Sequence, residues 1–192
     1  MRSNLPNLLT VFRILLIPII LAALYTESVM GQWTATVAFM AACLTDFLDG
    51  YLARAWKQTS RFGQFLDPVA DKLLISSCLI MLAGFGHISN FALIPACIIV
   101  CREIIVSGLR EHLGSHSPEL KVSTMAKAKT MVQMLAISSL LLGKTALSES
   151  FFLILGETLL WLAALLSIIT GLDYWQRCIH HLGEDEVEKK RA

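Results

Sequence analysis

The sequence predicts an all-α, polytopic membrane protein with six transmembrane helices and both termini in the cytoplasm. Three observations carry that expectation. The 192-residue chain is 55% hydrophobic and only 16% charged, whereas soluble domains carry about 25% charged residues. Its mean hydropathy is +0.63, and a soluble fold of this length exposes too much surface to hide so much apolar chain. Six stretches also reach the roughly 20 apolar residues that a membrane helix needs. Finally, when the spans alternate from an inside N-terminus, every Lys and Arg except Lys144 falls on or near one side, 15 of 16. Basic residues accumulate on the cytoplasmic side.

The spans run from Leu5 to Tyr25, Trp33 to Trp56, Phe62 to Phe85, Phe91 to Leu109, Met125 to Leu142 and Phe151 to Leu172. The first starts like a signal peptide, but Asn7 and Arg13 interrupt that pattern and five spans follow. Thr26 to Gln32 and Lys144 to Ser150 are short outer linkers. Arg110 to Thr124, with Gly114, Ser115, Ser117 and Pro118, is the longest connection. Trp33, Trp161 and Trp175 near span ends suit interfacial anchoring. Residues 1–182 form one membrane domain in this reading, and 183–192 a charged, solvated and partly frayed cytoplasmic tail. Net charge is +1, which gives no footprint for nucleic acid. The five cysteines form no CxxC pair and are expected to be buried structural thiols. The five histidines lack ligand spacing and are expected to be solvated.

Four carboxylates stand out. Asp46 and Asp49 are three apart and Asp67 and Asp71 four apart, so each pair shares a helix face. The polar segment Lys57 to Arg61 joins the two spans that carry them. Counted from its midpoint, Asp46 and Asp71 each lie 12.5 residues away, Asp49 9.5 and Asp67 8.5. At ~1.5 Å per residue, an antiparallel hairpin brings all four to one level, roughly 13 to 19 Å from the turn. Four crowded carboxylates in an apolar setting cannot all stay ionised alone. They are either protonated or held by a cation. Oxygen-only ligands select hard divalent ions, and paired ions of that kind serve phosphorus chemistry. Ionisable residues inside a membrane are functional by default. Gly50, Ala53 and Gly63 leave room beside the carboxylates, or serve close helix packing. Arg54 is a fixed charge suited to a phosphate.

Asp46, Asp49, Gly50, Ala53, Arg54, Gly63, Asp67 and Asp71 match every defined position of the D-x2-D-G-x2-A-R-x8-G-x3-D-x3-D signature. The chain thereby resembles the CDP-alcohol phosphatidyltransferase family. The likeness extends through Pro6 to Arg13, Arg61 to Lys72, Cys101 to Arg110 and Met125 to Thr130, where it is similar to bacterial members that use glycerol 3-phosphate. It covers roughly Leu5 to Met134, and the last span carries little of it. The resemblance implies transfer of a phosphatidyl group from CDP-diacylglycerol to an alcohol, with release of CMP. It implies that Asp46, Asp49, Asp67 and Asp71 bind two Mg²⁺ ions (Mn²⁺ being the alternative), and that Asp71 is also the general base. Asp46, Gly50, Ala53, Arg54, Ser60 and Asp67 are implied to contact CDP-diacylglycerol. A homodimer in a bacterial inner membrane, with its active site facing the cytoplasm, completes the implied picture.

An acceptor such as glycerol 3-phosphate needs a second cationic pocket for its phosphate. Thr10, Arg13, Lys72, Arg102, Arg110, Lys127 and Lys129 are the candidates at the cytoplasmic end. Arg102 lies inside an apolar span and so needs a partner. Glu103 faces about 100° away on a helix, so an anion is expected there instead. Three alternatives stay open. The same chemistry could use phosphatidylglycerol, serine or inositol phosphate as acceptor. A cation transporter would use the carboxylates as its ion site, but has no use for Gly50, Ala53 and Arg54. A structural scaffold would leave the four carboxylates unexplained.

Overall fold

A computed structural model of the chain describes residues 5–56, 61–113, 124–143 and 149–189, and within them the side chains of 8–48, 66–109, 125–143 and 150–179. Six α-helices follow one another: α1 Leu5–Tyr25, α2 Val29–Trp56, α3 Arg61–Gly84, α4 Leu93–Leu113, α5 Thr124–Gly143 and α6 Glu149–Lys189. Each expected span is thus a helix, with ends shifted by a few residues at most positions. The largest differences are at α2, which begins four residues early, at α4, which ends four residues late, and at α6. α6 runs 41 residues, and its helical backbone continues through most of the segment expected to be a frayed tail.

Local chemistry fixes the turns. Ser28 accepts a hydrogen bond from the Gly31 amide at 3.0 Å and so caps α2. At the end of α3, Gly86 has φ +63°, a conformation that favours glycine. There the His87 amide reaches the Leu82 carbonyl at 2.8 Å and the Gly86 amide the Ala83 carbonyl at 3.2 Å. This pair of bonds closes the helix C-terminus. His87 is consequently buried, only 3% exposed, a correction to the expectation that all five histidines are solvated. Ser89 then caps a 3₁₀ turn, Asn90–Ala92, that leads into α4.

α1 packs on both α2 and α3, α5 packs on α6 and α2, and α4 on α6. One apolar core joins the helices, with Ile20, Phe39, Leu74, Leu82, Ile99, Leu140 and Leu160 fully buried or nearly so. Small residues permit close approach: a Cβ at Gly156 would fall 2.7 Å from Leu140 Cγ. The outer surface is equally apolar. Leu8, Phe47, Ile80, Ile104, Ile154 and Leu172 are all more than half exposed, far beyond the patches tolerated on a soluble monomer. The protein is therefore membrane-embedded. Leu8–Tyr25, Asn90–Leu109 and Ser150–Ile179 are long and apolar enough to cross a membrane. α2, α3 and α5 have 28, 24 and 20 residues and carry Asp46, Asp67, Asp71, Lys72 and Lys129. Cys78 and Cys178 are buried as expected, but Cys97 and Cys101 are exposed on α4. Thiols tolerate a lipid-facing apolar surface because they behave as small hydrophobes.

Candidate active site

Three helices build one ionic cluster. Thr10 and Arg13, three apart on α1, share a face. Asp46 comes from α2, and Asp67 and Asp71 from successive turns of α3. The Arg13 side chain is 0% exposed. Its Nη1 donates to Asp71 Oδ1 at 2.7 Å and lies 3.6 Å from Asp67 Oδ1, and its Nη2 lies 3.1 Å from Asp46 Oδ1. Thr10 Oγ1 donates to Asp67 Oδ1 at 2.9 Å. The helical arithmetic that set Asp46 level with Asp67 and Asp71 is realised, with α1 supplying the central cation. Pro68 follows Asp67 inside α3, where it leaves the backbone ladder one hydrogen bond short.

Among the described side chains of the cluster, three carboxylates against one guanidinium leave an excess of two negative charges when all are ionised. Such an imbalance in a partly buried place calls for a further cation or for protonation. The donors are all oxygen, the set that hard divalent ions prefer. Among the described residues, no three acidic, histidine or cysteine side chains are spaced to close on one metal ion. The donor chemistry fits a divalent cation; the cation at the point of convergence here is Arg13. The backbone at Asp49, Gly50, Ala53 and Arg54 is helical within α2, while their side chains and Ser60 lie outside the described residues.

Beside the cluster is a cavity of about 330 Å³. α3 contributes Asp67, Asp71 and Lys72, α4 contributes Arg102 and Glu103, and α5 contributes Lys129, Thr130 and Gln133. Lys129 is buried, 4% exposed, and donates to Glu103. Arg102 Nη1 lies 3.4 Å from Glu103 Oε1 and its Nη2 donates to Thr170 Oγ1 at 3.1 Å. Lys72 donates to Ser107 Oγ. The fold thus gathers Lys72, Arg102 and Lys129 around one space that two of the aspartates also line. Among the described lining residues, Thr10, Arg13 and Lys127 do not appear. Thr10 and Arg13 face the aspartates, and Lys127 is exposed on α5. The Arg110 side chain lies outside the described residues.

Glu103 corrects the sequence reading. Neighbouring helical residues diverge, yet the long Arg102 side chain bends far enough to reach it. Its intramembrane position was the signal that Glu103 belongs to the site. Ser107 and Thr170 carried no such signal, because hydroxyl residues are common on membrane helices that merely pack.

The protein is thus a membrane-embedded helical bundle in which aspartates from two helices converge beside a cationic cavity. The chain belongs to the CDP-alcohol phosphatidyltransferase family, whose profile matches residues 3–169. It is 43% identical over 176 residues to a CDP-diacylglycerol–glycerol-3-phosphate 3-phosphatidyltransferase of Rickettsia bellii, covering 92% of this chain and 96% of the relative. The protein of that name from Haemophilus influenzae is 43% identical over 179 residues, 92% of this chain and 94% of its own. That from Pectobacterium atrosepticum is 40% identical over 187 residues, 96% and 100% of the two chains.

Proposed function

We propose that the protein is a CDP-diacylglycerol–glycerol-3-phosphate 3-phosphatidyltransferase of phospholipid biosynthesis, moving the phosphatidyl group to sn-glycerol 3-phosphate and releasing CMP. One observation carries the acceptor assignment. A single cavity is lined both by Asp71 and by Lys72, Arg102 and Lys129. A dianionic phosphate suits three cations, and a nearby carboxylate suits the hydroxyl that must lose a proton. A volume of about 330 Å³ is at the small end of ligand sites, which suits a three-carbon acceptor.

Asp46, Asp49, Asp67 and Asp71 would hold two Mg²⁺ ions, with Mn²⁺ as the alternative. Held there, such ions would supply charge neutralisation for the diphosphate and for the transferring phosphoryl group. Asp71 accepts the proton of the acceptor hydroxyl. The freed oxygen bonds to the lipid-side phosphorus as the bond from that phosphorus to the bridging oxygen breaks, and CMP leaves with the electron pair. Gly50, Ala53 and Arg54, which follow Asp49 on α2 by one, four and five residues, are assigned with Ser60 to the cytidine diphosphate. Thr10 and Arg13 hold the carboxylates. Lys127 and Arg110 remain candidates for the rim of the acceptor site.

The reading includes six spans with both termini inside, which the basic residues support. It places the protein in a bacterial inner membrane with the site facing the cytoplasm, where nucleotide and soluble phosphate acceptors reside. A homodimer is part of it through the family resemblance. The test is an acceptor panel. Purified protein with CDP-diacylglycerol and Mg²⁺ should release CMP with glycerol 3-phosphate, and chelation should stop the release. Preference for phosphatidylglycerol, serine or inositol phosphate would replace the acceptor and keep the chemistry. No release with any alcohol would reject both.

A further inference from the structure

We propose that Thr170 and Gly171 of α6 are positioning residues that form a seat for Arg102 and so tune capture of the acceptor phosphate. The inference rests on the reading of the cavity given above. Arg102 projects from α4, its side chain 15% exposed. Two contacts to α6 define where it lies. Its Nη2 donates to Thr170 Oγ1 at 3.1 Å. That hydroxyl is oriented in turn, since it donates to the Leu166 carbonyl at 2.7 Å and leaves its lone pairs for the guanidinium. The next residue has no side chain. A Cβ at Gly171 would stand 3.3 Å from Arg102 Cγ and 3.7 Å from Nε, so the arginine stem lies against bare helix backbone. On its other side, Nη1 approaches Glu103, which also receives Lys129.

The consequence is preorganisation. An unseated arginine must order several rotatable bonds when it captures a phosphate, and that cost comes out of affinity. A seated one presents its fork already aimed. Both seat residues follow directly on the stretch that the family profile matches, residues 3–169. The second half of α6, beyond the end of the profile, thereby acquires a role: it tunes the affinity of a site whose charges come from α3, α4 and α5.

The experiment compares wild-type protein with Thr170→Val, Thr170→Ser, Gly171→Ala, Gly171→Val and Arg102→Gln. Calorimetry measures glycerol 3-phosphate binding in the presence of Mg²⁺, and CMP release gives KM and kcat. Losing one hydrogen bond from a charged donor corresponds to about a tenfold change. Thr170→Val and Gly171→Val should weaken glycerol 3-phosphate binding by that factor and raise its KM to match. Their kcat and KM for CDP-diacylglycerol should stay within about twofold of wild type, the split expected when only acceptor binding is lost. Thr170→Ser, which keeps the hydroxyl, should bind as wild type, and Gly171→Ala should be intermediate. Wild-type affinity in Thr170→Val alongside weak binding in Arg102→Gln overturns the seat, as does wild-type affinity in Arg102→Gln. Should Gly171→Val fail to fold, the Thr170 pair decides alone. A wild-type protein that binds glycerol 3-phosphate but releases no CMP with it refutes the proposed function, and the variants' affinities still judge the seat. A wild-type protein that does not bind it overturns both.

Discussion

Arg13 stands within 3.6 Å of Asp46, Asp67 and Asp71, so removing its guanidinium leaves three partly buried carboxylates facing one another. Arg13→Gln should lower stability by about 3 kcal/mol, the scale of a broken buried ion pair. Thermal melts would measure it. Added Mg²⁺ should recover part of the loss, because a divalent cation replaces the missing charge. Arg13→Lys, which keeps the charge but loses the fork, should fall between. An equal melt for Arg13→Gln and wild type would remove Arg13 from the cluster. Asp71→Asn keeps the shape and removes the carboxylate proposed as the base. It should leave the protein folded, as judged by its melt, and cut the CMP release rate by about 10² to 10⁴. These residues show how far sequence reaches at this scale. The aspartates are legible because helical spacing alone fixes their level. Arg13 is legible only as a charge in an apolar helix, since its partners arise from packing α1 against two other helices. The same holds for Glu103, whose pairing depends on where Lys129 arrives from α5.

The α5–α6 contact offers a cleaner test of packing than the site does. A Cβ at Gly156 would fall 2.7 Å from Leu140 Cγ and 3.0 Å from the Leu140 amide nitrogen. Backbone cannot yield as a side-chain tip can. Gly156→Val should therefore force the helices apart and lower stability by about 1 to 3 kcal/mol, the usual range for overpacking. Unfolding in detergent would report it. Leu140→Ala alone opens a cavity and should also destabilise. The double variant should recover part of the loss, because the new side chain enters the vacated space and neighbouring sites are not additive. Additive losses would show that Leu140 is not what Gly156 accommodates. Element boundaries follow local chemistry: Ser28 and Gly86 mark theirs by capping and by positive φ. The long run of α6 past its apolar stretch was not legible, because Gly183, the residue that would mark a stop at the start of the charged tail, is passed over by a helix that runs to Lys189.

Orientation belongs to the whole molecule. The asymmetry of Lys and Arg predicts that the linker containing Lys144 faces outward and the one containing Gln58 inward. In a variant lacking the five native cysteines, Lys144→Cys should react with an impermeant maleimide on intact cells. Gln58→Cys should react only after lysis. The reverse pattern would invert the topology and move the site to the other side of the membrane.

Composition and period, by themselves, determined that this chain lives in a membrane as a helical bundle, and spacing determined that Asp46, Asp67 and Asp71 meet at one level. Both are local properties, set by the free energy of apolar surface in lipid and by 3.6 residues per turn. Which cation answers those aspartates, which basic side chains share a cavity, and what holds Arg102 in place were decided by the tertiary structure. Those contacts join residues 26 to 68 positions apart, and no periodicity along one helix encodes the rotation of its neighbours.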